Sequence, residues 1–184
     1  MDIIKQVSQE LLEPSHLNLD SLQSELGRSL MASVDFADLY LQAAVEESWV
    51  LDEGLVKQAD FDMSRGFGVR VISGAQTGFA YADDISKLAL SDAVRSARSI
   101  IKAGESGVIA PVGTILAPAL YSSVNPLQSL SDQSKVELLQ RIDAAARALD
   151  PRVKQVTAQL SASYESVLVL NSEGVLAADI RPLV

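Results

Sequence analysis

Apolar residues recur at helical spacing near the start of the chain. Ile4, Val7 and Leu11, flanked by Ile3 and Leu12, make one stripe that stops at Pro14. Leu19, Leu22, Leu26 and Leu30 make a second, after Asn18 and Asp20, side chains that suit a helix start. The spacing predicts helices over about 2–13 and 19–33. The period then drops to two. From Asp38 to Asp83 the apolar positions alternate (Leu39, Leu41 and Ala43, then Trp49 and Leu51, Val69 and Val71, Phe79 and Tyr81), with turn signals at Asp52-Glu53-Gly54, Ser64-Arg65-Gly66 and Ser73-Gly74-Ala75. This predicts a meander of four or five antiparallel strands.

The helical period returns from Ile85, through Ala89, Ala93, Ala97 and Ile100, with Asp83 or Asp84 as the expected cap and Gly104 as the expected stop. Residues 105–130 carry no period, and prolines fall at 111, 118 and 126. A connection of that length is usually functional, ordered by a partner, or mobile. A second central helix is predicted from about 132 to 149, capped by Ser131 or Asp132, with Val136, Leu139, Ile142, Ala146 and Leu149 as its buried stripe. Strands follow: Val153, Val156 and Leu160, the run Val167–Leu170, a turn over Asn171–Gly174 and a last strand from Val175. The predicted class is α+β, an antiparallel β-meander sheet with helices packed on one face, in the order ααβββββααβββ, as a single domain over 1–184. The last strand is still running at Leu183-Val184, which predicts a piece of a longer protein.

Composition narrows the chemistry. Of 184 residues, 48 % are hydrophobic and 5 % aromatic, so Leu, Val, Ile and Ala must fill the core. The formal charge is −9 and Lys and Arg form no run, which argues against direct binding of nucleic acid, where cation–phosphate contacts dominate. There is no cysteine, no apolar run of the ~20 residues that span a bilayer, and no basic region ahead of an apolar one at the N-terminus; a cytoplasmic location without membrane contact is expected. The one histidine, His16, lies among turn residues and reads as an exposed loop residue. The acidic pairs Glu46-Glu47, Asp52-Glu53 and Asp83-Asp84 point to opposite faces of a strand, which suits solvated surface better than acid–base catalysis, whereas Asp60 and Asp62 share a face. Gly66 and Gly68 are not followed by a third glycine ahead of a helix, so they do not form a dinucleotide loop.

Four glycines in two short alternating runs, Gly66, Gly68, Gly74 and Gly78, are the unusual feature. Two readings stay open. They serve bulges, turns and close helix packing, or their bare backbone lets a second chain approach the sheet as an added strand.

The stretches "DLYLQAAVEESWVLDEGLVK", "SRGFGVRVISGAQTGFAYADDIS", "LYSSVNPLQSLS" and "GVLAADIRPLV" closely resemble, in order, the N-terminal half of proteins in the TldD/PmbA family, on its TldD branch. The resemblance covers nearly the whole chain. It implies the non-catalytic N-terminal part of a zinc metallopeptidase that pairs with a PmbA/TldE-type subunit and cleaves peptide precursors and unfolded peptides. The family's His-Glu-x-x-x-His helix and further Cys ligand belong to the C-terminal half. No catalytic residue, metal ligand or cofactor is therefore carried onto this chain, and this stretch by itself is expected to be inactive. The alternative, from a different class, is a stand-alone peptide-binding or adaptor domain. Any link to DNA gyrase that the family's other name suggests is expected to be indirect, through proteolysis.

Overall fold

The structure, a computed structural model, describes residues 2–29, 34–100, 113–114 and 121–184. Helix α1 spans Ile3–Leu11, where the Asp2 carboxylate accepts a hydrogen bond from the Ile4 N–H at 3.1 Å. Helix α2 spans Leu19–Ser29, and Asn18 Oδ1 caps it by accepting from the Ser21 N–H at 2.8 Å. These caps satisfy amide donors that have no partner within the helix. Residues 30–33 of the predicted second helix lie outside the described residues, as do Gly104 and most of the 105–130 connection.

Three long strands follow, β1 (Phe36–Asp52), β2 (Leu55–Ser73) and β3 (Gln76–Ala82), in place of four or five. Ser64-Arg65-Gly66 is not a turn, because β2 runs through it and pairs from Phe67 onward with β3, Phe67 opposite Ala82 and Ser73 opposite Gln76. Helix α3 covers Lys87–Ser99. Its cap is Ser86, whose Oγ accepts from the Ala89 N–H at 3.3 Å and donates to the Asp84 carboxylate at 2.7 Å, so Asp84 supports the cap rather than providing it. A two-residue strand β4 (Gly113–Thr114), helix α4 (Asp132–Leu149), and strands β5 (Thr157–Asn171) and β6 (Val175–Leu183) complete the described elements. The sheet order is β3-β2-β1-β5-β6-β4, antiparallel except for β4, which lies parallel to β6. Asn171 Oδ1 closes the β5–β6 turn by accepting from the Glu173 and Val175 N–H groups, and Gly174 supplies the positive φ of +84°. The predicted α+β class, with helices packed on an antiparallel sheet, is the observed one.

The chain forms two compact units. The first comprises Met1–Ala43, Ser64–Leu120 and Ser166–Ile180. Its core is aliphatic: Val7, Leu11, Leu22 and Leu26 from α1 and α2, Leu39 and Leu41 from β1, Val69 and Val71 from β2, Leu90 and Val94 from α3, and Leu168 and Leu170 from β5 are all buried. Each such side chain contributes about 1.5–3 kcal/mol on burial.

The second unit comprises Ala44–Met63, Tyr121–Glu165 and Arg181–Val184. A small cluster of Leu51, Leu139 and Ala158, with Trp49 and Leu160 against it, forms its core. Helix α4 buries Lys135, Leu139 and Asp143, whereas Ile142 and Leu149 are exposed, which corrects the predicted stripe. The reason is ionic. Lys135 Nζ lies 2.8 Å from the Glu47 carboxylate with both side chains buried, donates to the Leu127 carbonyl at 3.2 Å, and stands 5.8 Å from the centre of the Trp49 ring. Asp143 is held by Arg147 one turn on, at 3.0 Å. A helix face judged by apolar spacing alone misses a stripe whose ends are charges neutralised by pairing.

Breaking one half of a buried ion pair strands the other charge, at about 3–5 kcal/mol, while replacing both by apolar residues is often neutral. Lys135→Met and Glu47→Leu are each expected to destabilise the chain by about 3 kcal/mol or more, and the double variant to recover most of that loss. Chemical denaturation followed by circular dichroism measures all three, and a double variant no more stable than the singles would show that the ions are needed for more than each other.

Candidate functional site

The four glycines singled out by the sequence fall in four different surroundings. Gly74 is the turn residue of the β2–β3 hairpin, with φ +55°, open space where a Cβ would stand, and its N–H donated to the Asp35 carboxylate at 2.6 Å. Gly78 faces α3, and a Cβ there would stand 2.0 Å from the Ala97 carbonyl oxygen. Gly66 sits against the Ala82 carbonyl oxygen, 2.7 Å from where its Cβ would be. At Gly68 the space is taken by the edge of the Phe79 ring, 3.0 Å away. The chain itself thus closes over three of the four.

Around Gly66 the first unit carries an open groove of about 320 Å³, lined by Tyr40, Gln42, Arg65, Gly66, Tyr81 and Asp83 among others. Phe79 and Tyr81, two residues apart on β3 and both exposed, stack with ring centres 6.1 Å apart. Arg70, opposite Phe79, donates from Nε to Asp38 at 3.1 Å and lies 5.8 Å from the Phe36 ring centre. The hydrogen bond to Asp38, aided by its charge, holds the Arg70 guanidinium above its ordinary value, against a smaller opposing effect of burial. Arg65 is tied to the Ser15 hydroxyl at 2.9 Å.

In the second unit, a turn at Glu53-Gly54 with φ of +52° and +78° sends the chain from β1 into β2. The nine residues Leu55–Met63 that follow are all exposed strand. They have β1 on one side, and β3 pairs with β2 only from Phe67 onward, so among the described residues nothing pairs with their other edge. Asp60 and Asp62 of this stretch face a groove of about 470 Å³, lined also by Glu46, Ser48, Ser161 and Ser163 among others. Odd positions put Phe61 and Met63 into solvent, 64 % and 69 % exposed. Alternation places Asp60 and Asp62 on one face, but it does not say whether a neighbouring strand is present.

For catalysis the side chains offer little. His16, with φ +54°, caps a short 3-10 turn (Glu13–Ser15) and is exposed, as read from its neighbours. Among the described residues no group of three His, Cys, Asp or Glu side chains is placed to hold a metal ion, and no helix is long and apolar enough to cross a membrane. Glu47, read as solvated surface, is instead half of the buried pair with Lys135.

Two family models match the chain: the PmbA/TldA metallopeptidase domain 1 over residues 37–101 and the PmbA/TldA metallopeptidase central domain over residues 125–184. A metalloprotease TldD homologue of Haemophilus influenzae is 43 % identical over 184 residues, which is 99 % of this chain and 38 % of the relative. One from Buchnera aphidicola of Schizaphis graminum is 40 % identical over 178 residues, 97 % of this chain and 37 % of the relative. The chain therefore spans well under half the length of these relatives. The fold recurs in a Thermotoga maritima protein described as a candidate modulator of a DNA gyrase, with a TM-score of 0.71 at 16 % identity, covering 89 % of this chain and 37 % of that one. It recurs also in TldE from Thermococcus kodakarensis, with a TM-score of 0.64 at 16 % identity, covering 88 % and 37 %.

The glycine geometry separates two substitutions of equal size. Gly78→Ala drives a methyl into the helix backbone at Ala97, and is expected to destabilise by about 3 kcal/mol or to prevent folding. Gly68→Ala meets only the outer end of an exposed ring that can swing away, and is expected to change stability by less than about 1 kcal/mol. Urea denaturation of both variants checks the contrast; equal losses would mean that α3 gives way at Ala97.

Proposed function

The chain belongs to the PmbA/TldD metallopeptidase family, and from that premise we propose that it is the N-terminal, substrate-holding and subunit-contact part of a TldD-type peptidase. In this reading it receives unfolded peptides and peptide precursors as added strands and passes them to a metal-dependent catalytic part outside this sequence. A PmbA/TldE-type subunit, which shares the fold, is the proposed partner. The observation that carries the reading is the unpaired edge of Leu55–Met63, nine exposed strand residues whose outward N–H and C=O groups have no partner among the described residues. Such an edge binds extended chains through main-chain hydrogen bonds, with little demand on sequence. Gly68, covered only by the outer end of the exposed Phe79 ring, remains a candidate for a second stretch of peptide contact, whereas Gly66 lies against the Ala82 carbonyl, Gly74 in a turn and Gly78 against a helix.

The family name implies a metal, and these residues do not fit one. There is a single, exposed histidine and no cysteine, and the carboxylates of Glu46, Asp60 and Asp62 do not gather into a ligand set.

Titration of a fluorescently labelled, permanently unfolded peptide into this chain, followed by anisotropy, is expected to give weak, saturable binding. Mass spectrometry of the same mixture with added zinc is expected to show the peptide intact. Absence of binding at the highest soluble peptide concentration would overturn the substrate-holding role; cleavage would overturn the assignment of catalysis to another part of the protein. Gly68→Val should fold, and unchanged binding by it would remove that glycine from the peptide path.

A further inference from the structure

An unpaired strand edge is ordinarily a hazard, and proteins blunt it by shortness, proline, bulges, cover or charged side chains, the last of which this edge carries at Lys57, Asp60 and Asp62. Leu55–Met63 is long and contains neither proline nor glycine. Its two faces differ in chemistry. Asp60 and Asp62 point into a groove that also holds Glu46, all three are exposed, and none of them forms an ion pair with a Lys or Arg among the described residues. On the other face Leu55, Phe61 and Met63 are more than half exposed, and the exposed Lys57 lies among them.

We propose that this edge selects one kind of extended segment, in which basic residues at every second position face Glu46, Asp60 and Asp62 while the apolar residues between them cover Phe61 and Met63. The proposal deepens the strand-addition reading above and rests on it. A strand added beside β2 has a side-chain period of two, so its side chains alternate between the two faces in step with those of β2. Directly opposed opposite charges and apolar pairs each favour such pairing by about 0.2–1 kcal/mol, and like charges oppose it. The same rule disfavours a second copy of this chain as the occupant. Antiparallel self-pairing centred on Phe61 would set Asp60 against the other copy's Asp62, in a chain already carrying a formal charge of −9. A basic, alternating segment brings cations to carboxylates that have no Lys or Arg partner among the described residues, where Asp60 accepts a hydrogen bond from Gln58 at 2.5 Å.

The test uses this chain and three short labelled peptides: alternating Lys–Val, alternating Glu–Val, and the Lys–Val peptide with every second backbone nitrogen methylated. Lys–Val is expected to bind about tenfold more tightly than Glu–Val, an advantage that shrinks as salt is raised. Backbone methylation is expected to abolish binding, and the exposed double substitution Asp60→Asn with Asp62→Asn to erase most of the preference for Lys without loss of fold. Equal affinity for Lys–Val and Glu–Val, both lost on methylation, would overturn the charge selection and leave strand addition standing. Unchanged binding of the methylated peptide, or no binding of any peptide, would overturn strand addition and this proposal with it. A preference for Lys that survives in the double variant would overturn the role of the two aspartates.

Discussion

The hydrogen-bonding demand of β1 is the constraint on which the rest of the structure depends. Its seventeen residues lie in the middle of the sheet, between β2 and β5, so its N–H and C=O groups need partners along both edges. The backbone bonds from Ser172 to Ala37 and from Glu53 to Val156 show β5 accompanying β1 along its length. On the other side β2 does the same from the tight Glu53-Gly54 turn. Once β1 is satisfied in this way, β2 and β5 inherit the problem of an outer edge. For β5 the solution is β6. For β2 it is β3, but only from Phe67 onward.

Side chains then decide what each part of the sheet can bury. Leu39 and Leu41 are met by an aliphatic core. Further along the same strand, Glu47 is buried and would be ruinous alone, since an unpaired buried charge costs several kcal/mol. Lys135 resolves it, and by also reaching the Leu127 carbonyl it ties the turn before α4 to the strand. The pair fixes which face of α4 turns inward better than the helix's modest apolar content could. Leu139 is the only fully buried aliphatic residue of that helix, while Ile142 and Leu149 face solvent.

This explains what was legible in the sequence. Local signals read true where the energetics are local. The caps at Asn18 and Ser131, the stop before Pro151, and the turns at 52–54, 73–75 and 171–174 are all settled by a few adjacent residues. Signals failed where a distant partner decides. Ser64-Arg65-Gly66 has turn composition, yet pairing of the following residues with β3 carries the strand straight through it. Asp83 and Asp84 have the chemistry of a cap, but Ser86 has the geometry. Nothing near Gly78 announces that Ala97, nineteen positions on, brings a carbonyl oxygen to its Cα.

The candidate site was hidden for a related reason. A strand buried on one face and a strand bare on both can share the same alternation, because alternation records only that two faces differ. Ala59–Met63 alternates like its neighbours, and what sets Leu55–Met63 apart among the described residues is an outer edge that no strand pairs with and side chains exposed throughout. The glycines drew attention for the opposite reason, being conspicuous in the sequence and largely filled in by the fold. A bare glycine invites another chain only if this chain has not already claimed the space, and at Gly78 a helix has done so. An edge with polar and apolar faces, by contrast, carries its recognition in ordinary side chains such as Asp60, Phe61, Asp62 and Met63, whose role follows from their position on an unpaired strand and not from their identity.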